Sequence, residues 1–397
     1  AKHDFNSLRE LVEVLRSEGG CPWDREQTHA SIRADIIEET YEVIEAIRIW
    51  HGRYLDATKD SRPDMHAVLQ QVPFGPATNY REAMQSIWFI FAFTRLCGNW
   101  PGIGRLDWLV GSMLDDDLAA GRITLEEARD IMASFFIKGC EWIRSNTPQN
   151  TGDAQHYQNL VLGGIDEYGH EVTNSVTYLA LDIVEELGIS DYPITVRLNE
   201  HSPDKLLRRI AEVMRHGGGI VAIYNEPLIL RALEREGYSP VEARSFANDG
   251  CWEIQMPGRT NFSYSPFDGL QILNQVLGLN DDTPAPAFDS IESLYQAYLT
   301  ELDQVIHGLY KKRISDVYEM RDGRWRMITP MKPNAVVSLF QEGCIRKGQL
   351  YDDLGPDYTL RSPHIGGAPD VANSLHAINQ LVYVEKKLTL AELVALL

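Results

Sequence analysis

In the stretch FANDGCWEIQM a cysteine follows a glycine and a carboxylate stands two residues later, so Gly250, Cys251 and Glu253 share one short run. Gly250 removes a side chain beside the sulfur, letting a substrate or another backbone come close, and the Asn-Asp-Gly before it is turn chemistry. With an extended backbone over 251–253, Cys251 and Glu253 project to one side and Trp252 to the other. A thiolate nucleophile needs a histidine base or a cationic setting, whereas the neighbours here are Asp249 and Glu253, which hold the thiol protonated. A neutral thiol that reacts by hydrogen-atom transfer has no such need, and a nearby carboxylate then helps to move protons. The plain alternative is that Cys251 is a small buried hydrophobe.

A second group of reactive residues lies in SIRADIIEETYEVIEAI. Glu38, Glu39, Glu42 and Glu45 recur three and four apart, so several carboxylates crowd one helical face and repel. A divalent cation relieves that repulsion, and Mg²⁺ held by a few carboxylates is a common way to bind phosphoanhydrides. The competing reading is a solvated acidic face with Arg33 and Arg48 nearby.

Other residues carry weaker signals. His156 reads as a loop histidine, and Cys344 lacks the glycine and carboxylate setting, so it reads as a buried thiol. Gly217, Gly218 and Gly219 follow a helical pattern and no Walker lysine accompanies them, which makes them a helix stop and not a phosphate loop. Asn225 and Glu226 end a β-like run, where barrel sites gather.

The elements that must position these residues change character near residue 48. Before it the chain is helical: Leu8, Leu11, Val12 and Leu15 share one face, a turn-rich GGCPWDREQTH follows, and a second helix opens at Ser31. After it, helical patterns such as YREAMQSIWFIFAFTRL alternate with the β-like runs NLVLGGI, YPITVRLN, GIVAIYNE and, later, AVVSLFQ. That alternation predicts parallel strands, in a barrel or a doubly wound sheet. LNDDTPAPAFDS reads as a surface loop. With 37 basic and 57 acidic side chains, a net charge of −20, the chain repels a nucleic-acid backbone. The five cysteines show neither CxxC nor Cys/His ligand spacing, so reduced thiols in a cytoplasm are expected. The run IWFIFAF is too short to span a bilayer, and AKHDFNS lacks the order of a signal peptide.

Two resemblances sharpen these readings. GCPWDREQTH and IIEETYEVIEAI resemble the start of a MazG-type nucleoside triphosphate pyrophosphohydrolase, over about residues 5–47. This resemblance implies Glu39 and Glu42 as a Mg²⁺-ligand pair, assisted by Glu38 or Glu45. The family's second Glu-x-x-Asp helix has no counterpart nearby, which leaves that site incomplete; Glu127 and Asp130 have the spacing but sit in a segment like a different family.

From about residue 50 onward the chain resembles the central part of a glycyl radical enzyme of the pyruvate formate-lyase-like superfamily. The likeness is carried by NYREAMQSIWF, QNLVLGGIDEYGHEVTNSVTYLALD, YPITVRLNEHSPDKLLRRIAEVMRHGGGIVAIYNE, ARSFANDGCWE, AVVSLFQEGCIRKG and the run from GGAPDVANSLH onward, in the family's order. It implies that Cys251 is the thiyl position and Glu253 the proton-transfer carboxylate. Gly250 stands where pyruvate formate-lyase has a second cysteine, which favours C–O, C–N, C–S or C–C cleavage of a small organic substrate over acyl transfer. The radical would be installed by a radical S-adenosylmethionine activating enzyme, and a homodimer is allowed. No cofactor is expected in the chain itself beyond Mg²⁺ at the acidic helix, and no Arg-Val-x-Gly-aromatic motif occurs before Leu397, so an incomplete radical system is expected. The expected architecture is α/β: a helical fragment over 1–48, a short α-helical hairpin, then over 49–397 part of a glycyl-radical-enzyme-type barrel with surrounding helices.

Overall fold

The computed structural model describes residues 17, 19, 32–97, 101–140, 158–189, 192–217, 221–250, 252–279, 287–321, 323–328 and 334–397. Its elements are α1 (Ile32–Thr58), α2 (Pro63–Gln71), α3 (Tyr80–Leu96), β1 (Gly104–Arg105), α4 (Leu106–Ala119), α5 (Leu125–Cys140), β2 (Leu160–Gly163), α6 (Ser175–Leu187), β3 (Ile194–Leu198), α7 (Asp204–Met214), β4 (Val221–Asn225), α8 (Glu226–Arg235), α9 (Pro240–Arg244), β5 (Ala247–Asp249) and β6 (Glu253–Gln255). There follow β7 (Thr260–Asp268), α10 (Gly269–Val276), α11 (Ile291–Arg313), β8 (Tyr318–Arg321), β9 (Arg324–Met327), α12 (Ala335–Leu339), α13 (Cys344–Lys347), β10 (Tyr358–Gly366), α14 (Ala368–Ile378), a π-helical turn and α15 (Leu390–Leu396).

The chain packs as two units, one holding 1–260 with 334–351, the other 261–333 with 352–397. In the first, β1 to β4 form a parallel sheet in sequential order, with Leu160 opposite Ile194 and Arg197 opposite Tyr224. Strands covered on both faces read as near-continuous runs, and all four residues of β2 are buried. Leu160, Leu162, Ile194 and Val196 enter one core with Val110 and Leu114 of α4, Phe136 of α5 and Leu179 and Ile183 of α6. Helix starts follow local chemistry. The Asn79 side chain accepts from Glu82 N (3.0 Å), Asn174 opens α6 with a capping box, and α6 stops at Gly188 with φ 61°.

Helix α1 continues unbroken through residues 48 and 49, burying Val43 and Ile47 against Leu69, Phe89 and Phe93. One element differs from expectation. AVVSLFQ, expected as a strand, forms α12: Asn334 accepts from Val337 N (3.4 Å), and Ala335, Val336 and Leu339 pack on the α1 cluster. Five β-branched or apolar residues bury as well on one helical face as in a strand, so the cap and the neighbours decide. Residues 280–286 of the expected surface loop and the first helix of the expected N-terminal hairpin lie outside the described residues.

The second unit has its own apolar cluster around Leu273, Leu294, Tyr298 and Ile378. It contains the β7–β10 pair and an antiparallel β8–β9 hairpin in which Tyr318 faces Met327. Among the described residues no helix is long and apolar enough to cross a membrane.

Candidate functional site

Strands β5 and β6 form a small antiparallel hairpin in which Asp249 pairs with Glu253, so residues 250–252 are its turn. Cys251 itself lies outside the described residues, but both its neighbours are described. The turn is not extended as expected: Gly250 has φ 47° and Trp252 φ 88°, the left-handed backbone that a three-residue reversal requires. Trp252 therefore closes the turn instead of alternating with its neighbours.

Sheet residues hold this turn. Asn159, just before β2, donates from Nδ2 to the Gly250 carbonyl (2.9 Å), while its own carbonyl accepts from Ile103 N (2.9 Å) and Gly104 N (3.1 Å). The Tyr224 hydroxyl of β4 donates to the Trp252 carbonyl, and the Tyr224 ring stacks on Phe246 at 6.2 Å. Burial first, then the charge of Glu253, raises the Tyr224 phenol above its ordinary pKa. Glu253 is 7 % exposed, and its carboxylate folds back toward the turn. A Cβ at position 250 would stand 3.1 Å from Glu253 Oε2, so Gly250 makes room for this carboxylate.

The base of the hairpin is fastened to a buried charge cluster. Arg197 of β3 is fully buried; its Nε donates to Glu226 Oε1 (2.7 Å), Nη1 to the Phe246 carbonyl (2.9 Å) and Nη2 to the Arg244 carbonyl (2.8 Å). Its guanidinium also lies 3.9 Å from the Phe246 ring centre. Burial and then the neighbouring Arg105 lower the Arg197 pKa, and Glu226 opposes both. Glu226 takes further bonds from Ile165 N (3.1 Å) and Asn199 Nδ2 (2.6 Å), which fix its side chain in place. Gly164, with φ 74°, is required there: a Cβ would come within 2.4 Å of Glu226 Oε1. Asp107, also fully buried, accepts from Gly163 N (2.6 Å) and Thr177 Oγ1 (2.7 Å), and burial raises its pKa to about 6.

Beside the hairpin opens a cavity of about 610 Å³. Its walls include Ile87, Ile90 and Phe91 of α3 on one side and Asn248, Asp249 and Gln255 of the hairpin on the other. Gln255 donates to Asp249 Oδ2 (3.4 Å), and burial raises the Asp249 carboxyl above its ordinary pKa.

The family match covers residues 57–397 and is described as pyruvate formate lyase-like. The chain belongs to this pyruvate formate lyase-like family. It is 25% identical to the isethionate sulfite-lyase of Nitratidesulfovibrio vulgaris, over 99% of this chain and 50% of that protein. It is likewise 25% identical to the trans-4-hydroxy-L-proline dehydratase of Clostridioides difficile, over 80% of this chain and 41% of that one. A solved structure concerning 1,2-propanediol dehydration in Roseburia inulinivorans superposes with a TM-score of 0.73 at 24% identity, over 98% of this chain and 51% of its own. The fold is thus that of the glycyl radical enzyme barrels, and this chain spans about half the length of the curated relatives it matches.

Within this family segment the structure brings Gly250 and the Glu253 carboxylate together in one short hairpin. The acidic helix lies elsewhere on the chain. Glu42 and Glu45 of α1 are exposed, on the side away from buried Val43 and Ile47, while the side chains of Glu38 and Glu39 lie outside the described residues. Among the described residues no three His, Cys, Asp or Glu side chains gather as a metal site. His156, Gly218 and Gly219 fall outside the described residues, and Cys344 is a thiol 1 % exposed. Asn225 caps α8 by accepting from Leu228 N (3.3 Å), and Glu226 is the partner of Arg197, so both serve the scaffold. Sequence reasoning missed Asn159, Tyr224 and Arg197. Their signal was a polar residue inside or beside each β-like run, where a fully buried strand is otherwise apolar.

Proposed function

We propose that this chain carries the thiol-bearing segment of a glycyl radical lyase or dehydratase acting on a small organic molecule, with Cys251 as hydrogen-atom carrier and Glu253 as proton-transfer group. The observation that carries this reading is the hairpin turn held by Asn159 and Tyr224, with the Glu253 carboxylate folded beneath Gly250. A Cβ at Gly250 would press on the Glu253 carboxylate, and the residue beside Cys251 here is a glycine and not a second thiol, which favours elimination over acyl transfer between two thiols.

A glycine-centred radical, installed by a radical S-adenosylmethionine partner, would supply the one-electron oxidising equivalent. As a thiyl, Cys251 takes a hydrogen atom from a substrate carbon: an S–H bond forms, a C–H bond breaks and the unpaired electron stays on carbon. Glu253 accepts the proton of a hydroxyl on that carbon while the neighbouring C–O, C–N or C–S bond breaks, its electron pair leaving with the departing group, to which the proton is returned. Cys251 then gives its hydrogen atom back to the product carbon and is a thiyl again.

The test is turnover of propane-1,2-diol by an anaerobically activated, radical-competent form, with a glycyl signal first established by electron paramagnetic resonance. Cys251→Ser should abolish turnover while leaving that signal, and Glu253→Gln should slow it by about 10²-fold or more. Turnover that survives Cys251→Ser overturns the reading.

A further inference from the structure

The hairpin carries two carboxyl groups in different surroundings. Asp249 and Glu253 are cross-strand partners at its turn end. Glu253 is 7 % exposed, folds back toward Gly250 and is not among the described residues that line the cavity. Asp249 is only half-buried and does line it. Two neighbours on the same lining place its carboxylate at the wall: Gln255 Nε2 lies 3.4 Å from Oδ2, and a Cβ on Gly102 would stand 3.8 Å from Oδ1. Glycine at 102 puts no side chain over that oxygen.

The cavity gives this carboxyl no counter-charge. Among the described residues lining it there is no lysine, arginine, histidine or glutamate, and Tyr351 is the one other titratable group. Helix α3 presents Ile87, Ile90 and Phe91, and the 334–341 stretch presents Val337 and Phe340. Arg259, next to the lining Gly258, is engaged by Glu242 (2.8 Å) and Glu342 (3.3 Å), and the residue opposite on the hairpin is the acidic Glu253. Burial raises the Asp249 carboxyl above its ordinary pKa, against the bonds from Gly250 N and Gln255. A carboxyl that keeps its proton against an apolar wall is an acid, and a second carboxyl in a different setting is free to be the base.

We propose that Asp249 is a second proton-transfer group of this site, handing its proton to the departing group while Glu253 takes the proton of the substrate hydroxyl. The proposal rests on the catalytic reading above. As the C–O, C–N or C–S bond breaks, its electron pair leaves with the heteroatom, which takes the Asp249 proton. Glu253 then passes the substrate's proton across the hairpin to the Asp249 carboxylate, so no proton is gained or lost over a turnover.

Esterification of the resting wild-type chain by ethyl diazoacetate tests the placement without turnover and without a variant that must fold. A protonated carboxyl gives its proton to the diazo carbon, dinitrogen leaves, and the carboxylate oxygen bonds to that carbon; an ionised carboxylate does not react. At neutral pH, mass spectrometry should find the ester on Asp249 at least about tenfold more than on the exposed Glu42 and Glu45. In the activated, radical-competent form with propane-1,2-diol, Asp249→Ala should lower kcat by about 10²-fold with KM within about threefold of the wild type. The fall of kcat at alkaline pH, where the acid has lost its proton, should be absent from that residual turnover, and Asp249→Glu should restore part of kcat. An unlabelled Asp249 overturns the proposal, as does an unchanged kcat, a change confined to KM, or an alkaline fall that survives in Asp249→Ala. Turnover by Cys251→Ser removes the catalytic reading itself. An inert Cys251→Ser beside an Asp249→Ala as fast as wild type removes only this proposal.

Discussion

The two faces of the parallel sheet are built by opposite rules. Toward the helices, Leu160, Leu162, Ile194 and Val196 are fully buried among apolar neighbours. On the hairpin side the same strands turn Arg105, Arg197 and Tyr224 to the backbone of residues 244–252, and Thr195 alternates onto that side. The first face is held by volume and dispersion, the second by a few charged bonds whose value depends on every partner being present. A sheet can therefore be stable and still carry a buried polar surface, provided one face supplies the stability that the other spends on placement.

That contrast can be broken by Glu226→Gln, the change with the largest expected effect. It leaves Arg197 charged and fully buried without its counter-ion, at a cost of about 3–5 kcal/mol. Denaturant unfolding should show that loss, whereas the near-isosteric Leu162→Met on the helix side should cost less than about 1.5 kcal/mol. Equal losses would mean that charge pairing does not distinguish the faces.

Asp107 provides a pH signature of intermediate size. Its folded pKa of about 6 lies above the ordinary aspartate value of 3.8, so between those pH values the folded chain keeps a proton that the unfolded chain has lost. Stability from this group thus falls as pH rises from about 4 to 6 and is level above that range. The melting temperature of the wild type minus that of Asp107→Asn should fall over that window and flatten beyond it. A difference that grows with pH would show that the bonds from Gly163 and Thr177 outweigh burial.

The smallest expected effect sharpens the comparison. Thr195 is fully buried, and its hydroxyl has no hydrogen-bond partner among the described residues. Thr195→Val should therefore be neutral or stabilising by up to about 1 kcal/mol, against the usual penalty for losing a satisfied hydroxyl. A clear loss in chemical denaturation would reveal a partner for this oxygen in solution.

Much of the strand order was legible, because NLVLGGI, YPITVRLN and GIVAIYNE are apolar runs separated by helical periods, and each became a parallel strand. AVVSLFQ was not, since a short apolar run lacks a period and Asn334 capped it into a helix. That Gly250 and Glu253 belong to one short turn could be read from their spacing and the Asn-Asp-Gly before it. The shape of that turn could not: alternation assumes an extended backbone, and the left-handed Gly250 and Trp252 break it.

By itself the sequence determined the alternating helices and parallel strands, the family likeness and the residues able to do chemistry, because those depend on local period and residue type. Only the tertiary structure decided that Asn159 and Tyr224 hold the turn, that Glu253 folds beneath Gly250, and that Arg197 and Glu226 fasten the hairpin's base. It also decided that Asp249 lines a cavity. Those are contacts between residues distant in the chain, and whether a buried polar atom finds its partner is set by packing that no local pattern encodes.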